Sequence, residues 1–78
     1  MTIEIVTPDS VIFSGETSLV QFPGLSGSFE VLQNHAPMIA ALRKGKIKVV
    51  DSKKETQFFD ISGGVVEVLN NKILVLAE

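Results

Sequence analysis

The fold is decided by residues 45–76, GKIKVVDSKKETQFFDISGGVVEVLNNKILVL, which contain the signals of two successive β-hairpins. Apolar and polar residues alternate over Lys46–Val49 and apolar residues recur over Thr56–Ile61, as expected for half-buried strands. The polar run Asp51–Lys54 lies between them and predicts a turn. The first hairpin is therefore predicted to pair these two strands.

The second hairpin follows directly. Gly63-Gly64 permits a sharp bend or a bulge before the strand predicted at Val65–Leu69. Asn70-Asn71 is a two-residue turn signal, because asparagine tolerates the positive φ angles that tight hairpin turns require. Lys72–Leu76 is then predicted to pair back onto the preceding strand.

The residues before these hairpins continue the pattern of short strands separated by turn signals. Strands are predicted at Thr2–Val6, Val11–Phe13, Ser18–Phe22 and Ser28–Val31. Thr7-Pro8-Asp9-Ser10 is predicted to end the first, Ser14-Gly15 the second and Pro23-Gly24 the third. No linker, repeat or low-complexity segment interrupts the chain.

Ala36–Leu42 fits both a strand and a short helix, since Met38, Ala40 and Leu42 recur with period two and alanine favours helices. A strand is the better prediction, because Pro37 biases the residue before it to extended geometry and Gly45 comes too soon for a helix of ordinary length. The sequence thus predicts one all-β domain over residues 1–78. We expect a flattened two-sheet β-sandwich or barrel of about eight to ten short, mostly antiparallel strands.

Composition excludes several classes of function. The 78 residues contain no cysteine and one histidine, so a disulfide scaffold and a structural zinc site are not expected, and we predict no metal site. A net charge of −2 disfavours nucleic-acid binding. No apolar run reaches the roughly 18 residues of a membrane span, and the N-terminus lacks a signal-peptide pattern. A core this small either stabilises the domain by itself or needs a partner surface to cover further apolar area.

Residues 24–42, GLSGSFEVLQNHAPMIAAL, contain an unusual density of glycine, proline and polar residues together with the only histidine, His35. Gly24–Ser28 superficially resembles the Gly-x-Ser-x-Gly nucleophile motif, but Ser28 stands where the last glycine should be and no helix follows. A serine hydrolase is therefore disfavoured. His35 fits either a docking role or a loop histidine whose ring bonds to nearby backbone.

Two groups of basic residues leave alternatives open. Arg43, Lys44, Lys46 and Lys48 form either a solvated face or a contact with an acidic partner. Lys53 and Lys54 lie at a hairpin tip, where small all-β carrier domains present a lysine for a covalently attached cofactor. The same polar tip is also typical of any exposed hairpin, so a carrier domain is kept as the alternative function.

Motifs distributed along the whole chain resemble a known family. They are Phe13-Ser14-Gly15, Pro23-Gly24, Gly27-Ser28-Phe29, Val31-Leu32, His35-Ala36-Pro37-Met38, Gly45, Ile47, Ser62-Gly63-Gly64-Val65-Val66-Glu67-Val68 and Val75-Leu76-Ala77. In this order they resemble the N-terminal domain of the ATP synthase epsilon subunit. The resemblance implies a non-catalytic rotor subunit in the central stalk of an F-type ATP synthase, which couples proton transport to ATP synthesis.

The resemblance also implies two partners and the residues that contact them. The expected contacts with the ring of c subunits are Thr7, Leu25, Ser26, Gly27 and Ser28. The expected contacts with the gamma subunit are His35, Ala36, Pro37, Met38 and Lys46. Gly24, Gly63 and Gly64 are expected to be structural. Where family members often carry an acidic residue in the first loop, this chain has Ser26 and Ser28, which favours hydrogen bonds over a charged contact with the ring.

The family usually continues into a C-terminal helical hairpin, and nothing follows Glu78 in this sequence. The sequence leaves open whether the chain is naturally short or part of a longer protein. Without the hairpin we expect neither nucleotide binding nor autoinhibition, and we expect no cofactor. The resemblance places the subunit peripherally at the cytoplasmic face of the bacterial inner membrane, or at an organellar equivalent, without a membrane span of its own.

Overall fold

Nine short strands account for most of the chain in a computed structural model that describes residues 1–78. They are β1 (Thr2–Val6), β2 (Val11–Glu16), β3 (Leu19–Gly24), β4 (Gly27–Leu32), β5 (Met38–Leu42), β6 (Gly45–Val50), β7 (Thr56–Ile61), β8 (Gly64–Leu69) and β9 (Lys72–Ala77). There is no helix that is long and apolar enough to cross a membrane. The all-β prediction is confirmed.

The strands form one hydrogen-bonded sheet that folds over on itself at β3. Layer A contains β2-β1-β9-β8-β5 in that order, and layer B contains β4-β3-β6-β7. A single residue pair, Gly24 with Leu42, joins the layers through β3 and β5. All pairings are antiparallel except that of β1 with β9, which confirms the mostly antiparallel prediction.

The core lies between the two layers and consists of aliphatic residues with one fully buried phenylalanine. Layer A contributes Ile3, Ile5, Leu42, Val66, Val68, Ile73, Val75 and Ala77, while layer B contributes Val20, Phe22, Val31, Ile47, Val49 and Ile61. These residues alternate along their strands with outward-facing ones, because successive side chains in a strand point to opposite faces. The alternation read from the sequence therefore identifies the inner faces.

Aromatic pairs complete the core in layer B and at one side of the sandwich. The rings of Phe13 in β2 and Phe59 in β7 lie 4.9 Å apart between centroids and bring the edge strands of the two layers together. Phe22 and Phe29 pack at 5.4 Å across β3 and β4. Such tilted pairs add about 0.5–1.5 kcal/mol to the stabilisation from buried area.

The strand prediction for residues 36–42 is confirmed, with β5 beginning at Met38. Two predicted strand ends are wrong. Ser14-Gly15 does not end β2, because both residues pair with β1, and Pro23-Gly24 form the last two residues of β3 instead of lying beyond it. The Pro23 carbonyl accepts a hydrogen bond from the Arg43 N–H, so the missing N–H of Pro23 would face this same side of β3. The β3–β6 ladder on that side ends before Pro23, so no ladder bond is lost there.

The predicted two-residue turn is confirmed. Asn70 and Asn71 have φ angles of 52° and 62°, the left-handed geometry that gives a hairpin the same twist as its strands. The bend at Gly63-Gly64 is also present, with positive φ at both glycines. At Gly64 φ is 145°, and an added Cβ would collide with the carbonyl oxygen of Leu76.

We expect Gly64→Ala to destabilise the domain by about 3 kcal/mol or more, since the substitution adds a steric collision with the β9 backbone to the cost of positive φ. Gly27→Ala is the matched control, because Gly27 has φ 135° but no atom within 4 Å of an added Cβ. That variant should lose only about 1–2 kcal/mol. Urea unfolding followed by far-ultraviolet circular dichroism measures both. Equal losses would show that the collision is relieved by a small shift.

Candidate functional site

The outward face of layer A carries exposed apolar side chains on three adjacent strands, together with Glu4, Glu67 and Lys72. Val65, Leu74 and Leu76 point outward from β8 and β9, and Ile39 and Ala41 point outward from the adjacent β5. Register places Leu76 beside Val65 and Val65 beside Ala41, so these three side chains are contiguous across three strands, whereas Glu67 lies between Ile39 and Leu74 in the next row. Ile39 is 71% exposed and Leu76 is 54% exposed. We call these five residues the apolar face.

The outward face of layer B mixes charged and apolar side chains. Its strands present Lys46, Lys48, Glu30 and Asp60, and Phe58 is a large apolar side chain among them. Lys46 Nζ donates to Asp60 Oδ1 at 2.8 Å, an ion pair between two exposed side chains. Layer B also has an apolar row, because Leu19 pairs with both Leu32 and Val50, so both outward faces carry contiguous apolar side chains. The face of layer A includes Ile39, the most exposed large apolar side chain of the chain.

The residues around the only histidine form a tight connection from β4 to β5. His35 donates its backbone N–H to the carbonyl of Leu32 at 3.3 Å, and its Nδ1 lies 2.7 Å from the carbonyl oxygen of Ala36. Asn34 precedes it with φ 61°, which turns the chain sharply. The ring is half-buried, so the geometry agrees with the loop-histidine alternative. Ala36 and Pro37 are exposed and lead into Met38.

This connection is fixed to the opposite hairpin by a polar network. The backbone N–H of Asn34 donates to Asn71 Oδ1 at 2.8 Å, and Asn71 Nδ2 donates to Gln33 Oε1 at 3.3 Å. Gln33 Oε1 also accepts from the amino group of Met1 at 2.9 Å. The segment that begins β5 is therefore held against the β8–β9 turn, at one margin of the apolar face.

Lys46 does not lie with the other residues predicted to contact the same partner. Lys46 is at the start of β6. The connection that contains His35 follows Leu32, and Leu32 lies near the other end of β6, because Leu19 pairs with both Leu32 and Val50. The four residue steps from Lys46 to Val50 correspond to about 13 Å along a strand. The structure brings His35–Met38 together and leaves Lys46 on layer B.

The residues predicted for the second contact lie at the opposite end of layer A. Thr7 opens the β1–β2 turn, where its Oγ1 accepts from the backbone N–H of Asp9 and of Ser10 at 3.3 and 3.1 Å. The tip of the β3–β4 hairpin is fixed by the Leu25 N–H, which donates to the Ala41 carbonyl at 2.9 Å. Thr7 and this tip thus flank the row that runs from Val6 through Leu76 and Val65 to Ala41.

The hairpin tip has an apolar residue at its most exposed point. Leu25 is 68% exposed, and Ser26 beside it is also exposed. Gly27 and Ser28 are not loop residues but begin β4, where Ser28 pairs with Pro23. An added Cβ on Gly24 would collide with the Gly27 carbonyl oxygen and lie 2.8 Å from the Phe29 ring, so glycine is needed for the hairpin to close.

The sequence missed the apolar face, although a signal for it was present. In β8 and β9 the apolar residues do not alternate strictly with polar ones but occur on both faces of the strand. Continuous apolar runs of this kind are typical of strands covered on both sides. Applied to Val65, Leu74 and Leu76, that rule would have identified apolar side chains on the outer side of layer A.

The chain matches a family described as "ATP synthase, Delta/Epsilon chain, beta-sandwich domain" over residues 1–78. Two similar proteins are ATP synthase epsilon chains. That of Chlorobaculum tepidum is 47% identical over 77 residues, which cover 99% of this chain and 88% of the relative. That of Salinibacter ruber is 44% identical over 86 residues, covering 100% of this chain and 58% of the relative.

Solved structures share the fold at low sequence identity. A chain of the Euglena gracilis mitochondrial ATP synthase, in a structure of its OSCP, F1 and c-ring, superposes with TM-score 0.90 and 19% identity, covering 96% of this chain and 48% of that one. A chain of the Tetrahymena thermophila mitochondrial ATP synthase central stalk and c-ring superposes with TM-score 0.81 and 18% identity, covering 99% of this chain and 62% of that one. These comparisons do not favour the carrier alternative at Lys53 or Lys54.

We expect the apolar face to contribute little to the stability of the isolated domain, because its side chains remain in water. Ile39→Thr should change the free energy of unfolding by no more than about 0.5 kcal/mol. Val66→Thr, on the inward side of β8, should cost about 2 kcal/mol or more, since it buries an unpaired hydroxyl in the core. Urea unfolding compares the two variants. A large loss for Ile39→Thr would mean that the face packs within the domain.

Proposed function

The chain belongs to the ATP synthase delta/epsilon chain β-sandwich family, and we propose that it is a non-catalytic central-stalk subunit that links the gamma subunit to the c ring. The observation that carries this proposal is the apolar face of layer A, together with the exposed hairpin tip at Leu25 and Ser26 at one end of the same layer. A domain with two separate contacts on a rigid β-scaffold is suited to fastening one partner to another. Its part in coupling proton transport to ATP synthesis would then be mechanical.

We propose that gamma covers the apolar face. Burial of apolar area stabilises an interface by roughly 25 cal/mol per Å², so residues that contribute little to the isolated domain would contribute to the complex. His35, Ala36, Pro37 and Met38 lie where β5 begins and would form the margin of this contact. Lys46 would contact gamma separately, because it lies on layer B and is paired with Asp60.

We propose that the c ring contacts the opposite end of layer A, at Thr7 and at the hairpin tip of Leu25 and Ser26. The most exposed group there is the apolar side chain of Leu25, and the Ser26 hydroxyl stands beside it. The contact would therefore combine an apolar residue with hydrogen bonds instead of relying on charge. Gly27 and Ser28 would act through β4, by holding the tip in place.

As part of this complex, the domain would lie peripherally at the membrane that contains the c ring, at the cytoplasmic face of a bacterial inner membrane. The relatives from Chlorobaculum tepidum and Salinibacter ruber, both bacterial, support this placement. The similar chain from the Tetrahymena mitochondrial central stalk and c-ring is consistent with the same arrangement in an organelle.

The gamma contact is tested by charge insertion on each face. Wild-type protein should co-purify with gamma, and gamma should raise its melting temperature, because a partner that binds only the folded state stabilises it. Ile39→Lys should weaken gamma binding by about tenfold or more, equivalent to about 1.4 kcal/mol. Phe58→Lys is the matched control, since Phe58 is 59% exposed on layer B. Titration calorimetry measures the gamma affinity of each variant. Equal losses of affinity in Ile39→Lys and Phe58→Lys would exclude the apolar face from the gamma contact.

The ring contact is tested at the hairpin tip. Leu25→Asp should weaken attachment of the gamma-bound subunit to the c ring and lower proton-coupled ATP synthesis, because it places a charge where an apolar residue is buried on docking. Lys54→Asp, at the exposed tip of the β6–β7 hairpin, is the control and should leave both unchanged. The measurement is ATP synthesis by reconstituted vesicles. Unchanged coupling in Leu25→Asp would remove this tip from the ring contact.

A further inference from the structure

Strand β5 is paired along its whole length on one side only. Its five residues all pair with β8, but on the other side only Leu42 pairs, with Gly24 of β3. The remaining residues, from Met38 to Ala41, therefore form an edge of layer A. A strand edge presents backbone donors and acceptors in a row, which makes it a template for another strand.

The direction of one observed hydrogen bond identifies which backbone groups face this edge. The Ala41 carbonyl accepts from Leu25 on the β3 side, so the polar groups of Ala41 point away from β8. Because backbone groups alternate in direction along an antiparallel strand, those of Ile39 point the same way. The N–H and C=O of Ile39 thus face the open edge, while those of Ala40 belong to the β5–β8 ladder.

This edge lacks the protection found at the other strand edges of the sandwich. Each of the strands β2, β4 and β7 carries an acidic residue, respectively Glu16, Glu30 and Asp60. From Met38 to Ala41 there is no charged residue, no glycine and no proline, and Ile39 is the most exposed large apolar residue of the chain. Natural proteins normally guard exposed edges with charge, proline or a bulge.

Both ends of the open edge are closed by the chain itself. Pro37 precedes it and has no N–H to donate, and Leu25 already occupies the Ala41 carbonyl at the other end. The space between them admits a pairing of about three or four residues, roughly 10–13 Å of strand. Met38 and Ala40 face the core side of this space and Ile39 faces the outer side, so an added strand would meet apolar side chains on both of its faces.

We infer that an extended segment of the gamma subunit adds to layer A as a short strand beside β5, with its hydrogen bonds made to the backbone of Ile39. This inference rests on the proposed function and goes further by naming the conformation of the gamma segment and its register. The occupant is an uncharged, extended segment with apolar residues at alternate positions, because β-addition takes affinity from the main chain and specificity from alternate side chains. The added strand would continue the gamma contact from the apolar face around the edge of layer A.

Amide hydrogen exchange of the wild-type chain tests this directly. In the isolated domain the Ile39 amide should exchange fast, whereas the Ala40 amide, which bonds within the β5–β8 ladder, should be protected. Addition of gamma should slow exchange at Ile39 by at least tenfold. Gamma binding without any slowing at Ile39 overturns the strand addition and leaves the proposed function intact. Failure of wild-type protein to bind gamma overturns both.

Proline substitution provides an independent test with matched controls. Ile39→Pro removes an N–H that the domain itself does not use, so the variant should fold with a melting temperature near that of the wild type. It should bind gamma at least tenfold more weakly than the control Ile39→Ala, which retains the N–H. Ala40→Pro removes a ladder bond and should be strongly destabilised. Equal gamma affinity of Ile39→Pro and Ile39→Ala overturns the inference. If Ile39→Pro does not fold, the assignment of the Ile39 N–H to the open edge is wrong.

Discussion

The two layers of the sandwich depend on one strand that belongs to both. The first half of β3 pairs with β6 in layer B, and its last residue, Gly24, pairs with Leu42 of β5 in layer A. Residue 24 also closes the β3–β4 hairpin, where a Cβ would collide with the Gly27 backbone and approach the Phe29 ring. The layer connection and the hairpin tip therefore meet at one glycine.

A sandwich of 78 residues cannot cover all of its apolar surface. Part of the uncovered apolar surface lies on the outward side of layer A and at the edge of β5, and part lies on layer B at Leu32 and Phe58. Layer B also presents charged side chains, including an ion pair between Lys46 and Asp60 whose side chains are 62% and 80% exposed. Such an exposed pair contributes little to stability.

Most of the local structure could be predicted from the sequence, because alternation and turn chemistry are local signals. Asn70-Asn71 adopts the left-handed turn that asparagine favours, and Pro37 keeps the start of β5 extended. What could not be predicted depends on residues distant in the chain. Pro23 remains within β3 because the β3–β6 ladder ends before it, and the parallel pairing of β1 with β9 has no local signature. The position of Lys46 away from His35 likewise follows from the layer order, which local patterns do not determine.

The candidate site was only partly accessible to the sequence for the same reason. A resemblance could select His35–Met38 and Leu25–Ser28 as contact segments, but it could not tell which side of β5 faces solvent. That side follows from the direction of the bond between Leu25 and Ala41. An apolar face alone would not hold gamma in one position, because hydrophobic contact is non-directional and lets the two surfaces slide over each other. A strand added beside β5 would fix the register, since a shift by one residue reverses the direction of every side chain. A subunit that transmits torque would require a contact of both kinds, and layer A has the apolar face and the open edge in continuity at Ile39.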